Sequence, residues 1–143
     1  MPDTDFSSLN VLVVDDEVFM RQLIVRVLTE IGVKQIYDAE NGNEGVTTLK
    51  NFGRTIDLVL CDLEMPEMDG FEFVRQVRGA ANVPNPDVPV LIISGHTDED
   101  HIRKAVELGI HGFVAKPVSR KLLEDRITAA LTGSTIDPSL LGG

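Results

Sequence analysis

The sequence predicts an α/β fold in which a five-stranded parallel sheet, wound as five consecutive βα units, is covered by helices on both faces. Three observations lead there. Short, wholly apolar, valine- and isoleucine-rich runs recur along the chain, as strands buried on both faces do. Amphipathic stretches with apolar residues at helical spacing separate them. Gly, Pro, Asn and Asp stand at the junctions. Strands alternating with helices imply parallel pairing and right-handed crossovers. At 143 residues, 43% hydrophobic and 25% charged, the chain is one ordinary domain in length and holds enough apolar material for one core.

The elements follow in order. Val11–Val14 is too short for a helix and reads as the first strand, ended by Asp15-Asp16-Glu17. Leu23, Ile24, Val27, Leu28 and Ile31 recur at helical spacing, and Gly32 closes that helix. Lys34–Asp38 is a weaker second strand. Asn41 is a candidate N-cap for a helix marked by Val46, Leu49 and Phe52 and ended near Gly53. Ile56–Cys61 is the third strand, leading into Asp62. After the loop Leu63–Gly70, Phe71, Val74 and Val77 mark the third helix. Residues 79–89, with Pro84, Pro86 and Pro89, form a turn-rich connection. Val90–Ile93 is the fourth strand and ends at Ser94-Gly95. Thr97 with Asp100 resembles a capping box, with Asp in place of Glu or Gln. Ile102, Ala105 and Val106 form the next helix face and Gly109 its stop. Gly112–Ala115 is a short fifth strand before Lys116-Pro117. Leu123, Ile127, Ala130 and Leu131 mark the last helix, and Gly133–Gly143 reads as a loose tail.

Composition excludes several functions. The net charge of −10 repels nucleic-acid phosphates and anionic membranes, so direct nucleic-acid binding is not expected. No apolar run approaches the roughly 18 residues of a membrane span. Met1–Asn10 carries Asp3 and Asp5 and is not a secretory signal. Cys61 is the one cysteine, which excludes an internal disulfide or a Cys-based zinc site and fits a reducing cytoplasm.

Chemistry-bearing residues fall at one end of the expected sheet. Asp15-Asp16, Asp62, Ser94 and Lys116 directly follow strands one, three, four and five, where ligands of open α/β sheets bind. Two unit charges about 4 Å apart repel by roughly 4 kcal/mol at an effective dielectric near 20. Three gathered carboxylates must therefore bind protons or a cation. Oxygen donors without imidazole or thiolate suit Mg²⁺ or Mn²⁺. Lys116 adds a positive charge opposite, so the pocket accepts a phosphoryl dianion between metal and ammonium. Asp62 can then act as a carboxylate nucleophile and form an aspartyl phosphate.

At these residues the sequence resembles the response-regulator receiver family of two-component signalling. The matching segments are Val11-Leu12-Val13-Val14-Asp15-Asp16-Glu17, Asp62-Leu63-Glu64-Met65-Pro66-Glu67-Met68-Asp69-Gly70, Ser94-Gly95 and Lys116-Pro117, in the family's order across residues 9–131. The resemblance implies a flavodoxin-like doubly wound sheet of order 2-1-3-4-5, the order the fold's chemotaxis example shows. It implies phosphorylation of Asp62 by a histidine kinase or phosphotransfer protein. Asp16 and Asp62 would ligate Mg²⁺ directly, Asp15 through water, and Glu64 through its backbone carbonyl. Ser94 would bond the phosphoryl group, and Phe113, in place of a commoner Tyr, would be the aromatic switch. Glu64 and His96 would flank the water path to the phosphoryl group. Lys116-Pro117 would be cis. Output to a partner protein, or a homodimer, would use the fourth helix, fifth strand and fifth helix, about residues 98–131. Residues 1–8 would be an N-terminal extension, 9–131 the receiver domain and 132–143 a flexible tail. As a single-domain regulator it would signal by partner binding in the cytoplasm.

Each signal has an ordinary explanation taken alone. Asp15-Asp16 could favour a helix N-terminus, Lys116 could be a solvated lysine, and Ser94-Gly95 could be a turn. Cys61 reads as a small buried residue, and His96, His101 and His111 lack a ligand pattern. The joint placement favours the site. The alternative is a Mg²⁺-dependent phosphohydrolase with an aspartyl nucleophile, which Asp62-Leu63-Glu64 suggests and multiple turnover on phosphate esters would reveal. A flavodoxin-like cofactor carrier is the third reading; it lacks the Ser/Thr/Gly-rich phosphate loop, and three acids after strand one would repel a phosphate.

Overall fold

The five apolar runs become five parallel strands: β1 (Asn10–Val14), β2 (Gln35–Ala39), β3 (Leu58–Asp62), β4 (Val90–Ser94) and β5 (Gly112–Ala115), in the order β2-β1-β3-β4-β5. The helices are α1 (Val18–Ile31), α2 (Gly42–Phe52), α3 (Gly70–Gly79), α4 (Glu99–Glu107) and α5 (Arg120–Thr132), and a single 3₁₀ turn, Phe6–Ser8, precedes β1. This is the doubly wound, flavodoxin-like arrangement. The computed structural model describes residues 5–95, 98–133 and 135–136.

Every residue of β1, β3 and β4 is buried, which is why those runs are apolar apart from Asn10 at the start of β1 and Asp62 and Ser94 at the ends of β3 and β4. The two-residue period sorts them into two cores. Val11, Val13, Leu58, Leu60, Leu91 and Ile93 pack with Ile24 and Leu28 of α1 and Leu123 and Ile127 of α5. Leu12, Val14, Val59, Cys61, Val90 and Ile92 pack with helices α2 to α4 through Val46, Leu49, Phe73, Val74 and Val106. Each such side chain contributes about 1.5–3 kcal/mol relative to exposure. β2 is an edge strand and correspondingly mixed in polarity.

Local chemistry sets the helix ends. Gly32 closes α1 at φ +98°, a left-handed geometry cheap only for glycine, and its N–H donates to the Leu28 and Thr29 carbonyls. The side chains of Asn41, Asp69, Asp98 and Ser119 accept backbone N–H bonds from Glu44, Glu72, His101 and Leu122. The α4 cap is thus Asp98; Thr97, expected to cap with Asp100, and His96 lie outside the described residues.

Other details depart from the sequence reading. Leu23 does not join the buried stripe of α1, which consists of Ile24, Val27 and Leu28; with Val18 and Phe19 it stays exposed. Phe52 is half-exposed and stacks on Tyr37, ring centroids 5.2 Å apart. β3 starts two residues later than expected. The Ile56 N–H is still tied to the Phe52 carbonyl, while the Asp57 carboxylate accepts the Asn10 N–H at 2.8 Å. The 79–89 connection is anchored by Arg78, whose guanidinium donates to the carbonyls of Pro86, Val88 and Gly109 at 2.7–3.2 Å. Past α5, the Ile136 N–H donates to the Ile110 carbonyl. No helix among the described residues is long and apolar enough to cross a membrane.

Candidate functional site

From β1 the chain leads through α1 to β2 on one side, and from β3 through α3 to β4 on the other. The divergence opens a crevice at the carboxyl ends of β1 and β3, the switch point of the sheet. Backbone pairing fixes who stands there. Val14 faces Ala39 and Cys61, and the Asp15 N–H donates to the Ala39 carbonyl as the chain leaves β1. Asp62, the last residue of β3, faces Ile93, so Ser94 lies one step further out on β4. The Lys116 N–H donates to the Ser94 carbonyl and places Lys116 just past β5, on a cis bond to Pro117.

Asp15, Asp16 and Asp62 each bring a carboxylate oxygen within 4.8 Å of the others. Asp15 Oδ1 accepts the Glu17 N–H at 2.9 Å. Asp15 Oδ2, Asp16 Oδ1 and Asp62 Oδ2 are buried and make no hydrogen bond. Unsatisfied buried carboxylate oxygens are costly, and three converging on one point form the donor set of a hard divalent cation. These residues fit such an ion.

Lys116 closes the other side, with Nζ 3.0 Å from Asp62 Oδ1. Burial pushes the Asp62 carboxyl up to about 6; the Lys116 hydrogen bond and charge oppose that rise, while Asp15 and Glu64 add to it. Burial likewise raises Asp15, against the Glu17 N–H and the Lys116 charge. For Lys116, burial favours the neutral amine, but the Asp62 hydrogen bond and the charges of Asp62, Asp15 and Glu17 prevail and raise its pKa. The pocket is an anionic cup with one ammonium on its rim.

Ser94 is fully buried, and its hydroxyl donates to the Glu64 carboxylate at 2.7 Å. Glu64 is an exposed residue of the loop after β3, and its side chain reaches Ser94 at the end of β4. Phe113 sits lower in β5, opposite Ile92, half-buried against the core on the α2 to α4 side. The site thus gathers Asp15, Asp16, Asp62 and Lys116 directly, with Ser94 and Glu64 joined beside them, and leaves Phe113 outside the cluster.

Two supporting residues escaped sequence reasoning. Arg21 Nη1 donates to the Asp15 carbonyl at 2.7 Å and Nε pairs with Asp38 at 3.3 Å, bracing the acid-bearing loop from α1. Nothing in the spacing of Arg21 announces this. Gly70 lies so close to the acid loop that a Cβ there would stand 2.8 Å from the Asp62 carbonyl oxygen. Gly70 ends the segment that carries the family resemblance, but nothing in the sequence announces this close approach to Asp62.

Residues 11–128 match the family described as "Response regulator receiver domain". A chemotaxis protein CheY homolog of Campylobacter jejuni is 30% identical over 127 residues, covering 88% of this chain and 95% of the relative. The chemotaxis protein CheY of Treponema pallidum is 34% identical over 121 residues, covering 85% of this chain and 81% of the relative. Among solved structures, the CheX-CheY-BeF3-Mg complex from Borrelia burgdorferi is similar with a TM-score of 0.78 at 30% identity, covering 85% of this chain and 87% of that one.

Proposed function

Because the chain belongs to the response regulator receiver domain family, we propose that it is a phosphorylation switch whose acceptor is Asp62. The observation that carries this reading is the convergence of three buried, unpaired carboxylate oxygens opposite Lys116. Asp16 and Asp62 would hold Mg²⁺ (or Mn²⁺) directly, Asp15 through water and Glu64 through its backbone carbonyl. When bound, the ion neutralises the acids and draws off charge from the phosphoryl oxygens. The Borrelia relative's complex with BeF3 and Mg supports the same ligand pair here.

The chain's own residues do the rest. Lys116 holds one Asp62 oxygen and orients the carboxylate. A carboxylate oxygen of Asp62 attacks phosphorus as the P–N bond of a donor phosphohistidine breaks, and the released imidazole takes up a proton. Lys116 and Ser94 are then placed to bond the phosphoryl oxygens by charge-assisted and hydroxyl contacts. The donor would be a histidine kinase or phosphotransfer protein, which places the chain in the cytoplasm. Val18, Phe19 and Leu23 lie in the first turns of α1, which begins directly after the acid-bearing loop, and stay exposed; such apolar residues would fit the donor that has to cover Asp62. Phe113 would relay the change to α4, β5 and α5, the face for an output partner or a homodimer.

Acetyl phosphate with Mg²⁺ tests this. A labile, single phosphoryl adduct is expected on the wild type and none on Asp62→Asn; an adduct that persists in the variant overturns the assignment. The phosphohydrolase alternative gains no support, since no described segment caps the acid pocket and the match to the receiver family spans nearly all of the sheet.

A further inference from the structure

Glu64 is exposed and Ser94 is not, yet the two share a 2.7 Å hydrogen bond in which the Ser94 hydroxyl donates. A carboxylate in that position exchanges water for a buried partner, so the contact is more than an incidental surface bond. A serine hydroxyl has one proton to give. An ionised carboxylate and a phosphoryl oxygen both only accept. The two acceptors therefore compete for the same proton, and they also repel one another by charge.

We propose that Glu64 is a positioning residue that holds Ser94 in the resting state, so that a phosphoryl group on Asp62 engages Ser94 only by breaking the Ser94–Glu64 bond. The inference rests on the reading of Asp62 as acceptor and deepens it by naming what opposes the switched state. Glu64 lies two residues from Asp62 in sequence, and the latch joins the loop after β3 to the end of β4. Phosphorylation would therefore release that loop from β4, in addition to drawing Ser94 inward. Behind burial, Lys116 and Asp15, the Glu64 charge is also felt at Asp62, in keeping with its place two residues past it.

The test is calorimetric titration of fluoroberyllate, at saturating Mg²⁺, into wild type, Glu64→Ala, Glu64→Gln, Ser94→Ala and the Glu64→Ala/Ser94→Ala double variant. Glu64→Ala is expected to tighten binding about tenfold, the size of one hydrogen bond to a charged group. Glu64→Gln, whose amide oxygen still accepts from Ser94, should give a smaller gain. In the Ser94→Ala background the Glu64→Ala gain should shrink to less than about twofold, because the two residues act as a pair. An equal gain with and without Ser94 overturns the latch and leaves charge alone as the cause, and no gain in either background also overturns it. Failure of the wild type to bind fluoroberyllate at all is a separate result, which removes the acceptor reading and this inference together.

Discussion

Lys116 Nζ lies 3.0 Å from Asp62 Oδ1, a contact that spans 54 positions of the chain and joins the ends of β3 and β5. Among the described residues, Lys116 is the ammonium that faces the three carboxylates, and its loss removes the charge that offsets their mutual repulsion. Lys116→Met is expected to raise the Asp62 carboxyl above its wild-type value of about 6. Carboxyl ¹³C chemical shifts followed through a pH titration check this. An unchanged midpoint would show that the ammonium does not control the acid.

The metal-free protein should lose stability as pH rises. The folded Asp62 titrates near 6 rather than at its ordinary 3.8, chiefly through burial. Between those values the folded state holds a proton that the unfolded chain has released, so folding weakens with rising pH through that window and levels off above it. Between about pH 5 and about pH 8 the expected loss is on the order of 1 kcal/mol. Thermal melts in chelator at about pH 5 and about pH 8 would measure it. Mg²⁺ should restore the melting temperature at the higher pH and do little at the lower, where the proton competes with it.

Asp62→Asn removes a negative charge while keeping an oxygen within reach of Lys116. In chelator near pH 8 it should be more stable than wild type by about 1–2 kcal/mol, although on the proposed reading it would accept no phosphoryl group. Equilibrium urea unfolding checks the sign; a less stable variant would mean that the carboxylate supports the fold rather than straining it.

Phe19 is 88% exposed and stands beside the acid-bearing loop. Phe19→Ala should slow phosphotransfer from a protein donor by about tenfold, as loss of a central aromatic contact does. Phosphorylation by acetyl phosphate, which needs no docking surface, should be unchanged. Equal slowing with both donors would place Phe19 in the chemistry and not in recognition.

Arg78→Met keeps an apolar stem of similar length and removes the donors that hold three backbone carbonyls. It should cost about 2–4 kcal/mol in chemical denaturation. Hydrogen exchange should quicken first in the 79–89 connection and in the turn around Gly109, the two segments the guanidinium joins.

Much of this was legible because the relevant signals are local. Val11–Val14 and Val90–Ile93 could be nothing but buried strands, and placing Asp15, Asp62, Ser94 and Lys116 at their ends needed only the rule that strands of a βα repeat run the same way. What stayed hidden depends on side-chain direction. Leu23 has the right spacing for the α1 stripe but falls on its exposed side, and a small rotation of the helix decides this. Arg21 and Arg78 look like solvated basic residues until the carbonyls they hold are seen. The Ser94–Glu64 bond joins two residues the sequence had marked, but for separate roles.

The strands beneath the site are buried at every position of β1, β3 and β4, and apolar at all but Asn10, Asp62 and Ser94. A slab packed that tightly has low compressibility and rearranges little within its body. On the proposed reading, news of an event at the rim would travel along the loops and the half-covered ring of Phe113. Chemistry and readout would then be separable in design: the surfaces of the outer helices could be rewritten for new listeners while the rim keeps its reaction.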